Sequence, residues 1–118
     1  MEAYFSRGNT YYSKGDADQA IADYTQVIAL NPKTAEAFHN RGIAYYAKGN
    51  VDQAISDYTQ AIVLNPKYTD AYNNRSVGYF LKQEYAKAWE DVHQAESLGF
   101  KVAPDFLKKL GEASGRNK

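Results

Sequence analysis

Apolar and small residues recur three and four positions apart along most of this chain, and no stretch alternates polar with apolar residues as a half-buried strand does. β-Branched residues are few. The pattern therefore predicts helices, most plainly over residues 35–48 and 51–64. Gly49 and Asn50 lie between them, where glycine can take the left-handed conformation that closes a helix. Asn65 and Pro66 end the second helix, because proline lacks the amide donor a helix needs and disfavours helix in the residue before it. The same Leu-Asn-Pro triplet stands at Leu30 to Pro32, and Thr34 is placed to cap the helix that begins at residue 35.

The triplet returns because the whole pattern returns. Arg7 and Gly8 reappear as Arg41 and Gly42, then as Arg75 and Ser76, a period of 34 residues. Residues 1–34 and 35–68 agree at 21 of 34 positions, including the block DQAI-DYTQ and the closing LNPK, which chance cannot produce. Residues 69–102 agree with the second unit at 11 of 34, so the third unit is divergent but in register. Each unit reads as two helices.

These units resemble the tetratricopeptide repeat (TPR) family, whose signature is a helix-turn-helix of that period. An early aromatic stands at Tyr4, Phe38 and Tyr72. The glycine of the pattern is Gly8 and Gly42, its tyrosine Tyr11, Tyr45 and Tyr79, and its second-helix alanine Ala20, Ala54 and Ala88. Tyr24 and Tyr58 supply the later aromatic, and Pro32 and Pro66 the proline. Departures gather in the third unit: Ser76 for glycine, Val92 for the aromatic, Gln83 in the turn and Phe100 for proline, as suits a terminal repeat. The resemblance implies an all-α, right-handed solenoid of three repeats in one domain over residues 1–113, with repeats at 1–34, 35–68 and 69–102. A capping-helix segment is expected at 104–113, its helix running from Pro104 at the first position, with Asp105 in the first turn, to about Leu110, and Gly111 past the end. Phe106, Leu107 and Leu110 are expected to cover the last repeat beside Trp89, and residues 114–118 to form a frayed tail.

Composition narrows the function. The 118 residues are 44% apolar and 24% charged, which is enough core material for a folded domain and excludes disorder as the default. Charge balances overall, with nine basic against twelve acidic residues in 1–100 and five against two in 101–118. Lys14, Lys48 and Lys82 are spread among the turns, so neither a nucleic-acid face nor a membrane segment is predicted. No cysteine is present, nor a secretory leader in the chain as given, and the compartment stays open. Two histidines, no phosphate loop and no ordered serine triad leave no catalytic centre, cofactor or metal site to expect. His39 with Glu36 is too sparse a pair for chemistry.

Arginine occupies a usually apolar position of the repeat at Arg7, Arg41 and Arg75, each with an aspartate sixteen residues on, at Asp23, Asp57 and Asp91. An anion-binding ladder and an internal ion pair compete as explanations, and the need of a half-buried guanidinium for a carboxylate favours the pair. The resemblance implies a concave groove lined by the first helices. Phe5, Asn9, Tyr12, His39, Asn40, Ile43, Tyr46, Asn73, Asn74, Val77 and Phe80 are its candidate lining. Some TPR domains clamp the terminal carboxylates of chaperone tails with two asparagines and three cations. This chain matches that pattern at Asn9 and Asn40 but has Phe5, Asp70 and Asn74 where the cations stand. The expected function is a non-catalytic protein-interaction module that takes a short neutral or basic peptide of a protein partner. A monomer is expected, and self-association or membership of a longer repeat array is the alternative.

Overall fold

The computed structural model describes residues 2–116 and contains, among them, seven helices and no strand. They are α1 (Glu2–Ser13), α2 (Ala17–Leu30), α3 (Ala35–Ala47), α4 (Val51–Leu64), α5 (Thr69–Leu81), α6 (Tyr85–Ser97) and α7 (Pro104–Ser114). Each helix packs on its neighbours in the chain, while α1 also touches α3 and α3 touches α5. The first helices of successive units therefore stand side by side as one wall, the second helices lie behind them, and the array measures 44 × 25 × 20 Å. This is the all-α repeat solenoid expected from the 34-residue period.

The turns follow from local chemistry. Within the first two units the chain reverses through Gly15 and Gly49 at φ of 82° and 84°, a region that costs glycine nothing. The third unit uses Gln83 at φ 64° in the same place. Asp16 caps α2 by accepting from the Gln19 amide at 3.2 Å. After each Leu-Asn-Pro exit the asparagine side chain accepts from the amide two residues on, Asn31 from Lys33 and Asn65 from Lys67. Thr34 does precede α3, but its hydroxyl donates back to the Asn31 carbonyl at 3.0 Å and does not cap the helix, because the Asn-Pro turn offers that acceptor first.

Packing within a unit is set by size. A β-carbon on Gly8 would lie 2.8 Å from the Tyr24 ring and one on Gly42 2.7 Å from that of Tyr58, so each glycine is the seat of a buried tyrosine from the second helix. In the third unit Ser76 and Val92 hold the corresponding places, and both are buried: the smaller valine leaves the volume that the serine side chain needs. The two departures from the repeat pattern are one exchange.

The C-terminal cap departs from expectation in its extent. Gly111 lies inside α7, and the left-handed residue that ends the helix is Gly115 at φ 75°, whose amide bonds to the Gly111 carbonyl. Ser114 belongs to the helix rather than to a frayed tail, since its hydroxyl accepts from the Trp89 indole at 3.0 Å, and the Arg116 guanidinium sits 5.3 Å from the Trp89 ring. Only 117 and 118 of the expected tail lie outside the described residues. Leu110 is fully buried in one cluster with Trp89, Val92 and Val102, and Phe106 and Leu107 pack against it.

Candidate functional site

The ion pairs are built into the stacking of helices. Arg7, Arg41 and Arg75 each donate two hydrogen bonds, from Nε and Nη2, to the carboxylate of Asp23, Asp57 and Asp91, at 2.7–2.9 Å. The side chains of these arginines also lie over aromatic rings of their own helix: Arg7 over Tyr4, Arg41 over Phe38 and Tyr45, Arg75 over Tyr72 and Tyr79. A third contact reaches the preceding unit, where Arg41 Nη1 donates to the Thr25 hydroxyl at 3.2 Å and Arg75 Nη1 to that of Thr59 at 3.1 Å. Hydrogen bonding by Asp57 raises the Arg41 guanidinium above its ordinary value against the pull of burial. Three of the five N–H groups of Arg41 and of Arg75 are engaged in this way, which favours the internal ion pair over an anion ladder. Thr25 and Thr59 were not singled out in the sequence. The signal was there, because both sit two residues after the paired aspartate in the block DYTQ.

The wall formed by α1, α3 and α5 carries the expected lining residues, but in two groups. Asn9 accepts at Oδ1 from the Tyr24 hydroxyl and, at 3.2 Å, from Asn40 Nδ2, so the two asparagines of neighbouring units form a bridged pair. Burial pushes the Tyr24 hydroxyl up to about 12, which keeps it a donor. Beside the pair Tyr12 and Tyr46 stand out, each 39% exposed, and Ile43 is half-buried. Asn9, Tyr12, Ser13, Tyr24, Asn40 and Ile43 enclose a cleft of about 300 Å³. A second cleft, of about 310 Å³, opens between Phe5, Ser6, Val27, Thr34 and the carboxylates of Glu2 and Glu36. Phe5 packs on Tyr24 with ring centroids 5.9 Å apart, and Asn73 and Val77 are half-buried.

His39 and Phe80 do not belong with them. His39 is buried, with its ring packed on Tyr58 and Tyr68, because Tyr68, the counterpart of Thr34 one period on, folds over it. Asn74 Nδ2 lies 3.0 Å from Nε2 and the Tyr68 hydroxyl 3.2 Å from Nδ1. An amide nitrogen only donates, so Nε2 accepts and the proton rests on Nδ1. Burial lowers the His39 pKa, and the charge of Asp70, a hydrogen bond with Asn40 and the charge of Glu36 only partly oppose it, so the ring is neutral. His39 is thus part of a polar plug between α3, α5 and the loop before α5. Phe80 is half-buried, packed edge-on to Phe106 of α7 at 5.6 Å and against Tyr85, so its ring is shared with the cap helix.

Known proteins show the same organisation. Family models described as "TPR repeat" and "Tetratricopeptide repeat" match residues 8–49 and 35–68. Among solved structures, the first TPR of Spaghetti (RPAP3) bound to the HSP90 peptide SRMEEVD is 30% identical with a TM-score of 0.91, covering 96% of this chain and 91% of that one. The chain belongs to the tetratricopeptide repeat family. The Arabidopsis OM64 TPR domain is 28% identical with a TM-score of 0.89, over 94% of this TPR chain and 93% of that one. The TPR2B domain of yeast Sti1 in its pHsp70 complex is 25% identical with a TM-score of 0.85, over 99% and 97%. A search of curated proteins finds no match. Among the described residues of this TPR domain, no cluster of three His, Cys, Asp or Glu could hold a metal, and no helix is long and apolar enough to cross a membrane.

Proposed function

We propose that this TPR domain is a non-catalytic interaction module that holds an extended, neutral or basic peptide of a protein partner along the wall of α1 and α3. The observation that carries the reading is the Asn9–Asn40 pair between two exposed tyrosines. Asn9 and Asn40 both line the cleft, and each side-chain amide carries a donor and an acceptor group. A donor and an acceptor side by side match the C=O and N–H of one peptide unit without demanding a sequence. Tyr12 and Tyr46 then flank the bound backbone and take apolar side chains.

Charge sets the ligand class. The Spaghetti (RPAP3) domain binds an acidic HSP90 tail, SRMEEVD. Here Phe5, Asp70 and Asn74 stand at the clamp's cation positions, Asn74 is occupied by His39, and Glu2, Glu36 and Asp70 open the three first helices with exposed carboxylates. An acidic tail meets repulsion and no cation. Two aromatic anchors set against the entropy of ordering a peptide give an affinity on the order of micromolar or weaker.

Calorimetry on a peptide library tests this. Apolar-basic peptides should bind, SRMEEVD should not, and Tyr46→Ala should weaken binding with the melting temperature unchanged. Micromolar binding of SRMEEVD, or unchanged affinity in a folded Tyr46→Ala variant, overturns the assignment.

A further inference from the structure

We propose that the outward face of α1 is a second docking surface, for a helix of a partner protein that carries an acidic residue, a small residue three positions on and a hydroxyl four positions after that. The fold itself shows twice how such a face is used. Where α2 lies on α3, Asp18 pairs with Lys48, Ile21 lies in the same packed cluster as Ala44, and Thr25 accepts from Arg41. Where α4 lies on α5, Asp52 pairs with Lys82 at 2.6 Å, Ile55 presses so closely on Gly78 that a β-carbon there would lie 2.9 Å away, and Thr59 accepts from Arg75. A stripe spaced i, i+3, i+7 on one helix reads a stripe of the same spacing on the next, which is one face of each helix.

On α1 and the residue after it the same register holds Arg7, Thr10 and Lys14, all exposed. Arg7 keeps both bonds to Asp23 through Nε and Nη2, while Nη1, which in the later units finds a threonine, has no hydroxyl partner among the described residues. Its side chain is 57% exposed against 19% and 17% for Arg41 and Arg75. The two cations at either end of the stripe call for an acid and a hydroxyl. Thr10 fills the volume that Ala44 and Gly78 leave open for isoleucine, and its hydroxyl is tied to the Ser6 carbonyl at 3.1 Å. The visiting helix must therefore carry a small residue at its centre. A second copy of this chain does not qualify: its α2 and α4 stripes are already engaged, and α6 presents Ala86, Trp89 and His93 in that register, with no acid at its start and the tryptophan at its centre buried against α7.

The test uses a stapled helical peptide of the sequence of residues 17–30 bearing Ile21→Ala, titrated into the intact protein while backbone amide shifts are followed. Saturable shifts are expected at Arg7, Thr10 and Lys14, weakened roughly threefold to tenfold by Lys14→Glu and recovered when the peptide carries Asp18→Lys as well. The peptide that retains Ile21 should bind the wild type less well than the small-centred one and should gain on Thr10→Ala. Shifts along Arg41, Ala44 and Lys48 instead would mean the peptide merely replaces α2. That result, no shift up to millimolar peptide, or indifference to both exchanges would each overturn the proposal.

Discussion

At position 42 there is no room for a β-carbon. One placed there meets Tyr58 at 2.7 Å and the Ala54 carbonyl oxygen at 3.2 Å, and the ring it would have to move is 2% exposed. Gly42→Ala should lower stability by about 1–3 kcal/mol, read from chemical denaturation. The exchange at Ser76 and Val92 extends the argument: Val92→Tyr alone should destabilise, and adding Ser76→Gly should recover much of the loss, since the pair then copies the first two units. His39 makes a prediction of different kind. Its folded pKa is lowered by burial, so below the ordinary histidine value of about 6.5 the unfolded chain takes up a proton that the native state resists. Stability from this group is complete above that pH and falls as pH drops toward the folded value, where an added proton on Nε2 would face the Asn74 amide. Melting temperatures between pH 7.5 and 5 should fall more steeply for the wild type than for His39→Gln, and parallel curves would show that the plug does not titrate. None of the plug was legible in the sequence. Tyr68 reaches His39 from 29 residues away, at the far end of the same repeat, and its counterpart Thr34 gives no hint of it.

Between elements, the arginine is a rivet through three helices. It is held by its own unit's aspartate and, in the second and third units, by the threonine of the unit before. Asp57→Leu should cost about 3–5 kcal/mol, because it strands a partly buried guanidinium, whereas Arg41→Leu with Asp57→Leu should cost markedly less. Equal melting temperatures for the single and double variants would contradict the burial of the pair. The aspartate was predictable from its fixed spacing; the threonine has a fixed place in DYTQ as well, but that it meets the arginine of the next unit depends on how the units stack. The cap helix divides in the same way. Its apolar residues marked it out, and Leu110→Ala should cost about 2–5 kcal/mol through the cavity it opens. Its end was misplaced because Gly111 looks like a terminator and is instead an interior residue, three residues before the serine that meets Trp89.

Across the whole array the helices and their order were readable from the period, but the difference between its two ends was not. The C-terminal end closes over a continuous apolar cluster from Tyr72 to Leu110, while the cluster nearest α1 comprises only Ala20, Tyr24 and Ala44 with their neighbours, and α1 contributes no buried side chain larger than its glycine. Native-state hydrogen exchange should therefore show α1 opening at lower free energy than α5 and α6, in keeping with a chain whose units are stabilised mainly by the next one along. Uniform protection from α1 to α6 would mean that the array opens as one. The single tryptophan turns this asymmetry into an optical instrument. Trp89 lies stacked on His93, bonded to Ser114 and beneath Arg116, all at the C-terminal end, so its emission is blind to the first repeat. Circular dichroism sees every helix equally. On heating, the lag between the two signals is the interval in which the first repeat is already molten and the last still stands.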